Sequence, residues 1–242
     1  MTEWRLFEEG TIPDFTTPEF FAGHPWVPPE HQGGHAERTA MVVDLVHGIV
    51  TEEPSGLTLS DLGCGDGTFL AEVDFLPITA WGYDAGDENL EKARAKGLTV
   101  TKADLLNDEL VFGGIVTANE VVEHLVDPHG FLKRLPGRHL VVSSPSAETD
   151  EWHYIHHAWA WDLEGYAALV EGAAGGGAID PDRAEARGRA VVRNHDGRGY
   201  NIRMLFALIL TAALAAAQSP ELAPGTTYDL TGRVVKGSVE RE

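Results

Sequence analysis

The chain has little cysteine, no basic run and no long apolar stretch, and each shortage excludes something. Cys64 is the single cysteine among 242 residues, so no intrachain disulfide can form and a reducing cytoplasm is the expected setting. Lys and Arg number 18 against 38 Asp and Glu, a formal net charge of −20. That field repels a long polyanion, so a nucleic-acid groove is disfavoured; gripping one RNA end through a metal escapes the argument. The longest apolar run, Met204 to Ala217, is shorter than the ~20 residues that cross a bilayer. No membrane partner is expected, and the run reads as a buried strand or helix, or as a homodimer contact. The first residues, "MTEWRLFEEG", are acidic and lack an apolar signal core. No internal repeat is visible.

What is present is an alternation. "LTLSDL", "TAWGYD", "LTVTKADL", "GGIVTANE" and "RHLVVSSP" read as five strands, and helices such as "ENLEKARAKG" and "DLEGYAALVEGA" separate them. Asp127-Pro128 reads as an N-cap with proline at the first helical position, launching "PHGFLKRL". Strand alternating with helix predicts an α/β, Rossmann-like fold: a parallel sheet with helices on both faces, binding its ligand at the carboxyl ends of the strands. Residues 1–36 hold prolines at 13, 18, 25, 28 and 29, which forbid a long helix, yet Phe15, Phe20, Phe21 and Trp26 are too apolar for a solvated tail. The expectation is a lid, with His24, His31 and His35, in front of one domain over 37–242. A Gly/Ala-rich stretch at 172–188 reads as a flexible insert. "RAVVRNHDGRGYNIR" reads as two antiparallel strands around a turn.

Three features carry chemistry. "DLGCGDG" places Gly63, Gly65 and Gly67 between a strand and a helix, where the backbone can approach a ligand closely. The loop has no Lys or Arg and no Gly-Lys-Ser/Thr ending, so a neutral or cationic ligand suits it better than a phosphate. Asp84 ends the second strand some twenty residues on, where an acid takes a ribose diol, and Asp104 ends the third. A strand-terminal Asp otherwise serves as a helix cap. The third feature is "NEVVEHLVDPH". On a helix Glu120, Glu123 and His124 share one face. They are three metal-ligand types, or side chains that simply flank a cofactor.

In order, "DLGCGDG", "GYD", "KADLL" and "NEVVEHLVDPHGFL" resemble the motifs of class I S-adenosylmethionine-dependent methyltransferases over about residues 37–172. The resemblance implies a seven-stranded sheet with an antiparallel last strand. It implies S-adenosylmethionine as cofactor, held by Asp61, Gly63, Cys64, Gly65, Asp84, Asp104, Leu105 and Glu120. In that family the loop passes the methionine part, the acid matching Asp84 binds the ribose hydroxyls, and those matching Asp104 and Leu105 meet the adenine.

The acceptor end stays open between readings. "SSPSAETDEWHYIHHAWAWDLEGY" places His153, His156 and His157 among aromatics after the fifth strand. The first reading is transfer to a hydroxyl of a small molecule, with His124, His157 or His153 as general base; ubiquinone-biosynthesis O-methyltransferases are similar to this chain at E-x-x-E-H. In the second, Glu120, Glu123, His124 and His157 hold Mg²⁺ or Mn²⁺ and grip a vicinal diol. The small-RNA 3′-terminal 2′-O-methyltransferases have such a pattern, and "HHAWAWDLEGY" is similar to their later motif. A third reading is a cofactor-binding scaffold without catalysis.

Overall fold

The computed structural model describes residues 3–24, 35–53, 56–135, 139–145 and 148–173, with four short backbone strands beyond. Trp26, His31, the side chain of His35, the insert beyond residue 173 and the run at 204–217 lie outside the described residues. Chain order gives β1 (Glu3–Arg5), α1 (Pro18–Gly23) and α2 (His35–Glu52). The alternating part follows: β2 (Thr58–Leu62), α3 (Thr68–Val73), β3 (Thr79–Asp84), α4 (Asp87–Ala95) and β4 (Val100–Lys102). It continues with β5 (Ile115–Asn119), α5 (Pro128–Lys133), β6 (His139–Ser143), β7 (Trp159–Trp161) and α6 (Leu163–Ala173).

Local chemistry sets the boundaries. Asp127 caps α5 by accepting the Gly130 N–H at 2.8 Å, with Pro128 at the first helical position. The α4 helix starts with Asp87 and Glu88 and ends with Lys92 and Arg94, charges that complement its dipole, and Gly97 closes it at φ +84°. Gly113 enters β5 so close to β2 that a Cβ there would stand 2.6 Å from the Thr58 carbonyl oxygen.

The five main strands are parallel in the order β4-β3-β2-β5-β6. From β2 the chain builds outward through β3 and β4, then returns to β5 on the other side. Strand order therefore reverses between β2 and β5, and the crevice beyond their carboxyl ends is where a ligand belongs. Both faces are packed. One cluster joins α2, α3 and α4 through Val46, Leu59, Leu70 and Leu90; the other joins α5 and α6 through Val116, Phe131, Trp161 and Leu169. No helix among the described residues is long and apolar enough to cross a membrane.

Three features go beyond the sequence reading or depart from it. Beyond β6, β8 (Val192–Arg193) and β9 (Gly199–Ile202) form the antiparallel pair expected around the "HDGRG" turn. However, β9 pairs with β6 in parallel, so the antiparallel strand there is β8 and not the last one. The "VEH" of the E-x-x-E-H string forms a single 3-10 turn (Val122–His124), not the helix that would align Glu120 with Glu123 and His124. Glu120 stands before that turn at φ +55°, the one positive-φ residue other than glycine among those described. Lastly, residue 3 pairs with residue 161: β1 runs antiparallel to β7, an N-terminal tie with no signal in the local sequence.

Candidate active site

A cavity of about 1040 Å³ opens at the strand ends. One end is lined by Asp61, Gly63, Cys64, Gly65, Asp84, Asp104 and Leu105, the other by Glu120, Glu123, His124 and His157. The sequence-predicted cofactor and acceptor residues therefore meet in one space. His153 is not among the lining residues. A turn in which Thr149 N–H bonds the Trp152 carbonyl sets its backbone aside, and its Nδ1 lies 3.1 Å from the Thr149 carbonyl. Phe20, Phe21 and His24 of the N-terminal segment form part of the wall.

The glycine loop turns its N–H groups inward. Gly63, Gly65 and Gly67 all have positive φ, a conformation that glycine adopts without a Cβ penalty. The N–H groups of Gly63 and Cys64 both donate to the Tyr83 carbonyl at 2.8 Å, and Gly65 N–H donates to Asp84 Oδ2 at 2.9 Å. With those donors committed, the loop is no phosphate cradle, in accord with its lack of Lys and Arg. Asp84 Oδ1 accepts from Gly86 N–H at 2.8 Å and from Asn89 Nδ2 at 3.2 Å. Oδ1 thus accepts twice and Oδ2 once, so Asp84 braces the loop and keeps one lone pair, on Oδ2, for a ligand hydroxyl. Asp104 is held in a local turn, accepting from Leu106 N–H at 2.9 Å and Asn107 Nδ2 at 2.7 Å.

Asp61 is buried under the loop, 2.7 Å from the Thr117 hydroxyl, which donates to it. Burial raises its pKa to about 7, against the lowering effect of Thr117, and the Asp84 charge adds to the rise. Burial likewise pushes the Cys64 thiol up, helped by Asp61 and Asp84, so Cys64 is an inert wall residue and not a thiolate. Asp66 and Lys96 escaped the sequence reading. Lys96 Nζ lies 2.8 Å from Asp66 Oδ2 and 2.9 Å from its carbonyl, which fastens the far side of the loop to α4. The signal was present in Asp66-Gly67-Thr68, because Asp66 Oδ1 accepts the Thr68 N–H as a helix-start carboxylate does.

At the other end three predicted ligands meet. Glu123, His124 and His157 offer donor atoms that all lie within 4.8 Å of one another. Backbone bonds bring this about: Ala158 N–H donates to the Glu123 carbonyl at 2.7 Å, which fixes the start of β7 against the 3-10 turn. The two imidazoles stand edge to face, 4.7 Å between centroids. In each ring Nδ1 is occupied, facing the His156 carbonyl at 3.0 Å in His124 and Glu148 Oε2 at 2.5 Å in His157. Neither Nε2 makes a hydrogen bond among the described residues, and both rings line the cavity. Glu123 is 1% exposed; neither of its oxygens makes a hydrogen bond of good geometry among the described residues, and the Ser144 hydroxyl is the one side-chain donor near enough to favour its charge. Burial pushes its pKa well up, and Glu120 adds repulsion. Burial also lowers the pKa of His124 to about 3, with His157 contributing.

Glu120, the fourth predicted ligand, is not in that group. Its Oε2 lies 3.3 Å from Arg38 Nε, its Oε1 accepts from the Ser143 hydroxyl at 3.0 Å, and its N–H faces the Ser143 carbonyl at 3.1 Å. These bonds hold it in its left-handed conformation, which costs of order 1–3 kcal/mol. Arg38 and Glu148 carry no sequence signal. Neither sits in a motif, and only the fold gives each its partner.

The family model described as "Methyltransferase domain" matches residues 34–171, more than half of the chain. The bovine mitochondrial ubiquinone biosynthesis O-methyltransferase is 27% identical over 106 residues, covering 37% of this chain and 29% of that protein. A ubiquinone biosynthesis O-methyltransferase from a Caulobacter species is 30% identical over 103 residues, covering 37% and 41%. The match thus spans less than half the length of these curated relatives. Among solved structures, a putative methyltransferase from Bacillus halodurans superposes with a TM-score of 0.43 at 19% identity, covering 49% of this chain and 62% of that one.

Proposed function

The chain belongs to the methyltransferase-domain family of class I S-adenosylmethionine-dependent enzymes, and from that premise we propose that it methylates a hydroxyl of a small-molecule acceptor beside a divalent cation. The observation that carries this reading is the buried, unpartnered Glu123 carboxylate between two imidazoles whose Nδ1 atoms are already committed. A buried carboxylate without a partner is costly, and a cation is the partner that its neighbours would share. Metal-binding histidines typically engage their second nitrogen in such a bond. A pKa of about 3 keeps His124 neutral near pH 7, which suits a ligand and makes a feeble base.

Bound S-adenosylmethionine would supply an electrophilic methyl on a sulfonium, with S-adenosylhomocysteine as the leaving group when an acceptor oxygen takes that methyl in line. A cation held by Glu123, His124 and His157 would supply Lewis acidity that eases loss of the hydroxyl proton. The chain's own residues orient and exclude. Asp84 braces the loop and offers the remaining lone pair of Oδ2 to a ribose hydroxyl. Leu105 and Leu106 give an apolar wall. Phe20 and Phe21 cover the acceptor end, where Phe21 packs on His124 at 5.3 Å. The net charge of −20 supports a small acceptor over a polyanion.

A second reading keeps the histidine base and needs no cation: His157, oriented by Glu148 at 2.5 Å, removes the proton through its Nε2. Two titrations decide. Calorimetry with S-adenosylhomocysteine is expected to show binding, and its absence would remove the cofactor assignment. Calorimetry with Mn²⁺ is expected to show one site that Glu123→Ala abolishes. Methyl transfer that survives exhaustive EDTA treatment would favour the metal-free base.

A further inference from the structure

Glu148 is 7% exposed, and both of its oxygens are in use. Oε2 lies 2.5 Å from His157 Nδ1, and Oε1 accepts the Tyr154 N–H at 3.1 Å. An ionised carboxylate only accepts, so the ring nitrogen facing it carries the proton. In the neutral ring the other nitrogen is then a bare lone pair. Glu148 also pins the loop that delivers the ring: Tyr154 is bonded to it, and His157 N–H in turn bonds the Tyr154 carbonyl at 3.0 Å.

We propose that Glu148 is a positioning residue that locks His157 as the Nδ1–H tautomer and turns its Nε2 lone pair toward Glu123 and His124. The consequence for a cation rests on the function proposed above; the tautomer does not. A purely structural brace is the alternative, and an isosteric change separates the two. Glutamine has the same shape but one acceptor oxygen and one N–H₂ donor. If its oxygen keeps the Tyr154 N–H, its amide faces Nδ1, which must then accept, and the ring proton moves to Nε2. A brace tolerates this exchange; a lock on the tautomer does not.

The test is long-range ¹H–¹⁵N correlation of ¹⁵N-histidine-labelled protein, with His157 assigned among the 11 histidines by its loss in His157→Gln. In the parent protein His157 should carry its proton on Nδ1, and in Glu148→Gln on Nε2. A parent proton on Nε2, or an unchanged tautomer in Glu148→Gln, would overturn the proposal. Should Glu148→Gln fail to fold, the parent spectrum decides alone. Mn²⁺ calorimetry on the same samples should show Glu148→Gln binding 10–100-fold more weakly, with S-adenosylhomocysteine affinity unchanged. Parent-like Mn²⁺ affinity in the variant overturns the consequence for the cation. A parent protein that binds no Mn²⁺ removes the metal reading and leaves the tautomer result standing.

Discussion

Two aspartates under the glycine loop differ in what they do, and single substitutions separate them. Asp84 accepts from Gly65, Gly86 and Asn89, so it sets the loop's shape as well as facing the cavity. Asp84→Ala is expected to weaken S-adenosylhomocysteine binding at least tenfold, roughly 1.4 kcal/mol or more, read by calorimetry. Unchanged affinity would take Asp84 out of the site. Asp61 instead predicts a pH dependence of stability. Its folded pKa is about 7, against an ordinary value of 3.8. Between those values the folded state holds a proton that the unfolded chain has released. The contribution to stability is therefore complete below about pH 4, falls as pH rises, and is gone above about pH 7. Asp61→Asn cannot ionise. Its melting temperature should match the parent near pH 4 and exceed it by pH 8, with a ceiling of about 4 kcal/mol. A gap that does not change with pH would mean that Asp61 is charged throughout.

At the scale of elements, the glycine loop works because it fits against the turn that carries the acceptor side. A Cβ on Gly63 would stand 2.5 Å from Val121 Cγ2, in a backbone conformation of φ +73°. Gly63→Ala should destabilise the protein by roughly 1–3 kcal/mol. Adding Val121→Ala should recover the steric part but not the backbone part, as chemical denaturation of the double variant can show. These elements also mark how far the sequence could be read. The five parallel strands, α5 with its Asp127 cap and α6 were legible because periodicity and capping are local signals. So were Asp84 and the glycines, whose spacing along the chain fixes their place in a βαβ unit. The one-face arrangement that a helix would give Glu120, Glu123 and His124 is not adopted, because Glu120 is bound to Arg38 and Ser143 and the chain there is turned by non-local bonds. The α1 helix hid among prolines, although Thr17 before Pro18 is itself a capping signal, confirmed by a Phe20 N–H bond of 3.3 Å. Glu148 was invisible, since nothing near it in sequence says that a histidine nine residues on will fold back to meet it.

At the scale of the whole molecule, residue 3 and residue 161 connect the N-terminal segment to the acceptor half. Glu3 Oε2 accepts from Trp161 Nε1 at 2.7 Å and lies 2.8 Å from His129 Nε2. Trp161 is fully buried, stacked 6.2 Å from Trp159, and Phe7 packs edge-on to Trp159 at 5.9 Å. The same N-terminal segment continues into α1, whose Phe20 and Phe21 rest on His156 and His124. None of these contacts reaches Asp84 or Asp104 at the cofactor end. Glu3→Ala leaves the buried indole N–H without its acceptor, a loss of roughly 1–3 kcal/mol in stability. It also loosens the strand that anchors the acceptor wall. The expected outcome is a split: a lower melting temperature and a raised KM for the methyl acceptor, with S-adenosylhomocysteine affinity within twofold of the parent. Equal loss at both ends would mean that the N-terminal segment stabilises the sheet as a whole and does not serve the acceptor end in particular.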